Sequence, residues 1–431
     1  MPRRNGCLLI AVVMVALVLA RTGHAQPQPV TGAFTVDELV ARALADNPEL
    51  RAARAEVEAA RGRLRQAGLR PNPMLDLGGQ KALGPDNNVM VGVTLPLDLN
   101  RRKEGRVGVA ERELETKVAQ VADRERRLRA DVPMKAADVL AARRDLEVTD
   151  DLLRVNREAL TLIGERVQRG AVPPLEESLL LVEVNRLEAR RRLLASQVEV
   201  FAFQLKVLVA LPAEAPLSVK GDLSLPPPTP DRPSAIERAL DRRPDLQMAR
   251  ADAAAARARI LKEQAEGRWD ASINVNYQRQ DFGYGLNGLT ERGGTRPIQD
   301  VFHYFGGGVT IILPVRNQNQ GNIAAAKAEA VAADRRVELA VLTIRQEVVS
   351  AFTQHEAAQR SLEIYARGVR DVARQNLDVV RKTYGLGRGS LLDVIAEQRR
   401  YIEIEIGYTE SLKQTYNAAV EIERAVGAAI P

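Results

Sequence analysis

The sequence predicts a mainly α-helical protein with a smaller β part, built from two consecutive copies of one order of elements. Three pairs of landmarks mark the copies: residues 44–50 (LADNPEL) and 240–246 (LDRRPDL), residues 94–97 (TLPL) and 312–315 (ILPV), and Gly170 and Gly387, each followed at the same spacing by an acid. A repeat of this length is a property of the fold, because each copy is one structural unit. We assign the first repeat to residues 26–210 and the second to residues 234–431, joined by a proline-rich linker at residues 211–233.

Residues 1–25 have the features of a secretory signal peptide. Arg3 and Arg4 precede an apolar run at residues 8–20, and Ala25 ends the segment with a small side chain. The run is too short for a permanent membrane helix, which needs about 20 apolar residues. The sequence therefore predicts export and cleavage after Ala25. The single cysteine, Cys7, would be removed with this segment, so we expect no disulfide and no lipidated terminal cysteine in the mature protein.

Helical periodicity covers most of each copy. Leading helices are predicted at residues 36–67 and 235–266, interrupted at Pro48 and Pro244, where Asn47 can cap the restarted helix. Rods of about 100 Å, at ~1.5 Å per residue, follow at residues 101–167 and 320–382, and return helices at residues 174–210 and 390–426. Such lengths indicate coiled-coil packing. Pro133 lies inside the first rod and Ser350 at the matching place in the second, so we expect only the first rod to be kinked.

Between the leading helix and the rod, the periodicity of each copy changes to two residues. This alternation predicts one β-hairpin at about residues 73–96 and another at about 270–315. Half-buried hairpins of a soluble sheet would alternate in the same way, but the export signal favours a membrane barrel with an apolar lipid face and a polar lumen. Four strands cannot close a barrel, and open strand edges are not tolerated in lipid. Three copies would supply twelve strands, so the sequence predicts a trimer.

The composition gives no support for an enzyme or a nucleic-acid-binding protein. Half of the formal net charge of +6 comes from Arg3, Arg4 and Arg21 of the signal segment, and aromatic residues make up only 4% of the chain. A nucleic-acid partner requires clustered basic residues with interleaved aromatics. His303 and His355 fall on different predicted elements, so we expect no metal site, and we expect no cofactor. No convergent nucleophile, base or metal set indicates catalysis.

These landmarks resemble the TolC-like outer membrane efflux proteins over about residues 35–427. The resemblance rests on the repeated residues 47–50 (NPEL), on the strand-to-rod turn at residues 95–97 (LPL) and on the tip at residues 384–398 (YGLGRGSLLDVIAEQ). It implies a homotrimer with a 12-stranded β-barrel in outer membrane lipid and a 12-helix α-barrel across the periplasm of a Gram-negative bacterium. It also implies an exit duct that a periplasmic adaptor joins to an inner-membrane pump of the RND type. Residues 100–103 (NRRK) look closest to the cation-efflux branch of cobalt-zinc-cadmium type.

The two turns between rod and return helix hold the candidate gate residues. Glu176 and Asp393 occupy equivalent places, and a threefold ring would set six carboxylates around a narrow mouth, which favours cations. The resemblance matches Glu176, Tyr384 and Asp393 to positions that brace a closed periplasmic gate, and it places Arg388 one position from a gate arginine. Ala396 stands where a second acid is expected. The alternative is that Glu176 and Asp393 only cap their helices.

The same turns are the predicted docking points for the hairpins of an adaptor. The small and apolar residues that we assign to this role are Gly170, Val172, Leu175, Gly387, Leu391 and Leu392. Ordinary turn chemistry explains the glycines equally well.

Two further functions stay open at this stage. The chain could be the exit duct of a type I secretion system, because the sequence does not identify the cargo. It could instead be a periplasmic coiled-coil adaptor or scaffold, although such a protein would carry one helical hairpin rather than two copies with alternating strands.

Overall fold

The computed structural model describes residues 33–83 and 86–427. The predicted signal peptide and its cleavage site lie outside these residues. The first series of elements is β1 (Ala33–Thr35), α1 (Val36–Asp46), α2 (Pro48–Ala67), β2 (Met74–Lys81), β3 (Asn87–Pro96), α3 (Arg102–Gln168) and α4 (Pro174–Leu208). The second is β4 (Ser218–Lys220), α5 (Arg232–Arg242), α6 (Pro244–Glu266), β5 (Asp270–Leu289), β6 (Thr295–Ile312), α7 (Gln320–Ile364), a π-helical turn (Tyr365–Val369), α8 (Arg370–Gly385) and α9 (Leu391–Val426). The mainly helical, duplicated fold with a β part is confirmed.

The two hairpins form one antiparallel sheet in the order β2-β3-β5-β6, and β1 pairs separately with β4 in parallel. The register places Leu77, Val91 and Tyr277 side by side on one face. The other members of this apolar face are Leu75, Val89, Val93, Leu95, Ile273, Val275, Val309 and Ile311. Among the described residues, no helix is both long enough and apolar enough to cross a bilayer.

The opposite face of the sheet is lined mainly by amides, hydroxyls and glycines. Its members include Asp76, Gln80, Asn88, Thr94, Ser272, Asn274, Asn276, Gln278 and Thr310. Gly306 and Gly308 lie opposite Asn276 and Asn274, and a Cβ atom on either glycine would come within 2.8 Å of the facing Oδ1 atom. The glycines therefore make room for the amides. One apolar face and one polar face are the pattern of a strand between lipid and water.

Each leading helix is anchored to the end of the return helix of its own copy. Asn47 caps α2, its Oδ1 accepting the N–H of Glu49 at 2.9 Å, and its Nδ2 donates to the Leu208 carbonyl at the end of α4 (2.9 Å). In the second copy the guanidinium of Arg243 takes over the second task, donating to the Ala425 carbonyl near the end of α9 (3.2 Å). Both bonds satisfy a carbonyl that a helix end leaves free. The copies thus keep one architecture with different chemistry.

Arg243 lies within the buried part of the second copy and is neutralised there. Its side chain is 2% exposed and binds Glu347 at 2.6 Å and Asp245. Burial alone would raise the pKa of Asp245, but the hydrogen bonds and charge of Arg243 outweigh it and lower this pKa. A buried guanidinium needs such partners, because removing it from water is costly.

The buried clusters differ in which copies they contain. Around the leading helices one cluster combines residues of the first copy, such as Leu39, Val132 and Leu205, with Val219 of β4. Another cluster, with Ile344 and Ile422, belongs to the second copy. Farther along the rods and return helices the clusters mix the copies. One of these contains Leu152, Leu153, Val184, Leu187 and Ile402. The apolar clusters at the leading-helix level are thus largely separate, but the first rod α3 packs along the second leading helix α6, so the two copies also meet at this level.

The break in helical hydrogen bonding does not lie at Pro133, and the expected difference in straightness between the rods stays a prediction. Helix α3 continues through Pro133 as a single element, whereas the second rod is interrupted by the π-helical turn at Tyr365–Val369. The side chain of Tyr365 lies against Gly407 of α9, where any Cβ atom would be within 2.6 Å of the phenol oxygen. A π turn holds one extra residue in a helix, which re-aims the side chains after it. Close packing on Gly407, not proline, therefore accompanies the irregularity.

Candidate functional site

The two turns between rod and return helix share one backbone conformation. Gly170 and Gly387 have φ values of +72° and +74°. Their N–H groups donate to the carbonyls of Val167 and Tyr384, each at 2.9 Å. The left-handed conformation is costly for residues with a Cβ atom, which explains a glycine at both turns.

A hydrogen bond joins the two copies at the tip. The Tyr384 hydroxyl, in the last turn of α8, donates to Glu176 Oε2, in the first turn of α4, at 2.6 Å. Burial, and then the bond to Glu176, raise the pKa of Tyr384 to about 12. The phenol therefore keeps its proton throughout the neutral range and remains a donor. The structure brings together two of the four predicted gate residues.

The other two gate residues lie apart from this bond. Asp393 Oδ2 accepts the backbone N–H of Ser390 (3.2 Å), and Ser390 Oγ accepts the N–H of Leu392 (3.0 Å). This is a capping box at the start of α9, so Asp393 caps its own helix. Its side chain is nevertheless exposed, as is that of Arg388 in the preceding turn.

The predicted docking residues divide into an inner and an outer set. Leu391 is only 6% exposed and packs with Ile163, Leu180 and Ile395 in a cluster drawn from both copies, against which Val172 is partly buried. Leu391 therefore supports the tip from inside rather than offering a contact surface.

The outer set places apolar side chains in water. Leu175 is 66% exposed and Leu392 57% exposed, one at each tip. Leu386, which the sequence reasoning did not select, is 74% exposed within the second turn. The sequence feature that could have identified Leu386 is its position directly before the turn glycine Gly387. Both turns therefore present exposed leucine side chains that a partner protein could cover.

A buried ion cluster above the tip was also missed. Glu183 of α4 is 1% exposed and binds Arg186 at 2.5 Å and Arg399 of α9 at 2.8 Å. Burial favours a raised pKa for Glu183, but the hydrogen bonds from the two arginines outweigh it and lower the pKa. This cluster ties the first copy to the second. In the sequence, Glu183 is one of many charged residues on a return helix, so no pattern distinguished it from the exposed ones.

The two histidines lie on separate elements. His303 Nδ1 is 2.7 Å from the Tyr277 hydroxyl on the sheet, and His355 is buried on α7. Within residues 33–83 and 86–427, no group of three or more His, Cys, Asp or Glu side chains is placed to hold a metal ion.

Comparisons with known proteins agree on one family. The sequence model of the outer membrane efflux proteins matches residues 39–211 and 235–428. The cobalt-zinc-cadmium resistance protein CzcC of Cupriavidus metallidurans is 24% identical over 406 residues, covering 93% of this chain and 92% of that protein. Among solved structures, CusC superposes with a TM-score of 0.74 at 16% identity, covering 91% of this chain and 92% of CusC. A membrane protein from Pseudomonas aeruginosa also gives 0.74, at 21% identity, with coverages of 91% and 90%.

Proposed function

Because the chain belongs to the outer membrane efflux protein family and is an outer membrane exit channel rather than an enzyme, we propose that three copies form the duct of a tripartite efflux system. The duct receives cargo from an inner-membrane pump, of the RND type, through a periplasmic adaptor. Residues 1–25 are removed on export, and the mature chain is not lipidated.

The main support for the trimer is that the protomer has an open edge on each side of its sheet and of its helices. The four-stranded sheet ends at β2 on one side and β6 on the other. In the lower rods α4 packs on α3, α3 on α9, and α9 on α8, so α4 and α8 are the outer helices. Head-to-tail contact of one edge with the other closes a ring when the rotation permits. Three chains then supply twelve strands.

Apolar side chains on the two outer helical edges support the same assembly. On α4 they repeat at heptad-related spacing, and on the opposite edge they run along α7 and α8. The exposed members are Val182, Leu193, Val200 and Val207 on the first edge and Val331, Leu339, Leu342, Val372 and Val379 on the second. A stripe with this spacing is typical of a coiled-coil seam.

The gate and the docking surface belong to the tips. The bond from Tyr384 to Glu176 holds each protomer's hairpins together in the closed state, and Asp393 and Arg388 add charge around the mouth. The adaptor docks on the turns at Gly170 and Gly387. Its apolar contacts are the exposed Leu175, Leu392 and Leu386, with Val172 and Leu391 supporting them from inside.

The proposed cargo is a divalent metal cation. The similarity to a cobalt-zinc-cadmium resistance protein supports this class, and carboxylates around a narrow mouth favour cations over anions. Deleting the gene should then sensitise cells to cobalt, zinc or cadmium but not to dyes or detergents. Sensitivity to dyes alone would refute the metal cargo, and loss of a secreted protein would favour the type I secretion duct.

The assembly is tested by fractionation. Outer membranes should contain a trimer that survives detergent and dissociates only on heating, and mass spectrometry should find a mature terminus at residue 26 without a lipid. A soluble monomer in the periplasmic fraction would refute the duct and favour a scaffold or adaptor.

A further inference from the structure

The β5–β6 hairpin changes the character of its two faces along its length. On the apolar face, Tyr277 packs against Phe305 with ring centroids 5.0 Å apart, and its hydroxyl meets His303. Farther from the helices, the same face carries Arg279 and Asp281, which form an ion pair at 3.2 Å. Aromatic residues followed by charges are typical of the boundary between lipid and water. The lipid-facing band therefore ends near Tyr277.

The opposite face of the hairpin changes from polar to aromatic at the level where the lipid-facing face becomes charged. Toward the helices it carries amides such as Asn274 and Asn276, but beyond them it carries aromatic residues. Phe302 lies 5.7 Å from Phe282 and 6.4 Å from Tyr304, measured between ring centroids. We call Phe282, Tyr284, Phe302 and Tyr304 the aromatic collar. Each is at least one-third exposed in the protomer. Three polar residues share this face and pair with the collar, namely Gln278 with Tyr304, Gln280 with Phe302 and Asp300 with Phe282.

Above the lipid band, then, the inner face of the hairpin is rich in aromatic residues, while the outer face carries an ion pair. A strand pair with that pattern normally stands in water and buries its inner face. The pairing of β3 with β5 ends at Asp281, so residues 282–289 of β5 continue with β6 alone. At about 3.4 Å per residue, this overhang reaches more than 20 Å beyond the four-stranded sheet.

In the proposed trimer, the inner faces of the other two hairpins are the nearest partners for the collar. Twelve strands about 4.8 Å apart, tilted by about 40°, close at a radius of roughly 12 Å. A ring of inward aromatic side chains narrows such a lumen substantially, and hydrophobic constrictions oppose the passage of water and ions.

We propose that the three aromatic collars form an apolar constriction at the outer mouth of the channel, separate from the gate at the helical tips. The inference rests on the proposed trimeric barrel. It assigns Phe282, Phe302 and Tyr304 the role of limiting the size of solutes that pass between the barrel lumen and the outside.

The test measures access to the lumen from outside in intact cells. Ser272 lies on the amide face near the helical end of the sheet, below the collar, and the chain's single cysteine lies at position 7, before the predicted cleavage site. S272C is therefore labelled with a small maleimide and with a bulky maleimide–polyethylene glycol. The same labelling is repeated after F302A/Y304A, and after F305A, which removes an aromatic side chain from the lipid face.

We expect the bulky reagent to label S272C slowly. Its labelling rate should rise by at least an order of magnitude in F302A/Y304A but not in F305A. Fast bulky labelling of S272C alone would overturn the collar, as would slow labelling that F302A/Y304A leaves unchanged. Absence of labelling by the small reagent would show that Ser272 does not line a lumen. That result would refute the proposed barrel, and the collar with it. Heat-dissociable trimers on gels separate these outcomes from a failure of assembly.

Discussion

Replacing Tyr384 with phenylalanine should open the periplasmic mouth. The substitution removes only the hydroxyl that donates to Glu176 at 2.6 Å and keeps the ring that packs against the buried tip cluster. The tip should therefore stay folded, with the pair of Glu183 and Arg399 intact, while the bond between Tyr384 and Glu176 is lost.

The size of the effect follows from the bond. A hydrogen bond to a charged group contributes about 1.5–3 kcal/mol, and the lower value applies because Tyr384 is only partly buried. Three bonds broken in one concerted opening would then shift the equilibrium by about 4–5 kcal/mol. Reversing a mouth that is closed 99% of the time takes about 5.5 kcal/mol. Y384F should thus move a mostly closed channel most of the way to open.

Single-channel recording in planar bilayers measures this shift as a larger conductance or a higher open fraction. The matched control is E177Q, which removes a carboxylate from the same turn but leaves the bond to Glu176 intact. Y384F recordings indistinguishable from the unmodified channel would refute the reasoning. An equal opening by E177Q would assign the effect to mouth charge instead of the bond.

Three further predictions concern other charged groups. R243A should destabilise the protein by about 3 kcal/mol, because it removes a buried side chain and leaves the Ala425 carbonyl and two partly exposed carboxylates without their partner. R242A on the exposed side should cost less than about 0.5 kcal/mol, and the temperature of trimer dissociation compares the two variants. Burial raises the pKa of Asp145 to about 6, so its charging destabilises the fold as pH rises through that value. D145N should therefore gain about 2 kcal/mol at pH 8 and little at pH 4, seen in melting curves at both. D393N keeps an oxygen that accepts the Ser390 N–H but removes the charge. A reduced cation preference, measured from reversal potentials, would show that Asp393 belongs to a selectivity ring. An unchanged cation preference would show that Asp393 only caps its helix.

Periodicity predicted the elements well because it records which face of each element is buried. The restart of both leading helices after Pro48 and Pro244 could be predicted from local chemistry alone. The π-helical turn could not, because it accompanies the close packing of Tyr365 on Gly407, which is distant in sequence.

The candidate site shows the same limit. Equivalent spacing identified Glu176 and Asp393 as matching positions. Only the fold shows that Glu176 accepts a hydrogen bond from a tyrosine of the second copy, whereas Asp393 caps its own helix. Pairings across copies, such as Glu183 with Arg399, leave no periodic trace.

The bond at the tip has a consequence for symmetry. The position in the first copy that matches Tyr384 is occupied by Val167, so the reciprocal bond to Asp393 has no donor. Six separate single-repeat subunits would make six identical seams around the mouth. Two units in one chain permit the seams of the proposed trimer to differ: the seam within a chain carries a tyrosine–carboxylate bond, whereas a seam between chains has Val167 in place of the tyrosine. In the proposed trimer the mouth then has threefold rather than sixfold symmetry, and each chain can change one of its two seams by mutation without altering the other.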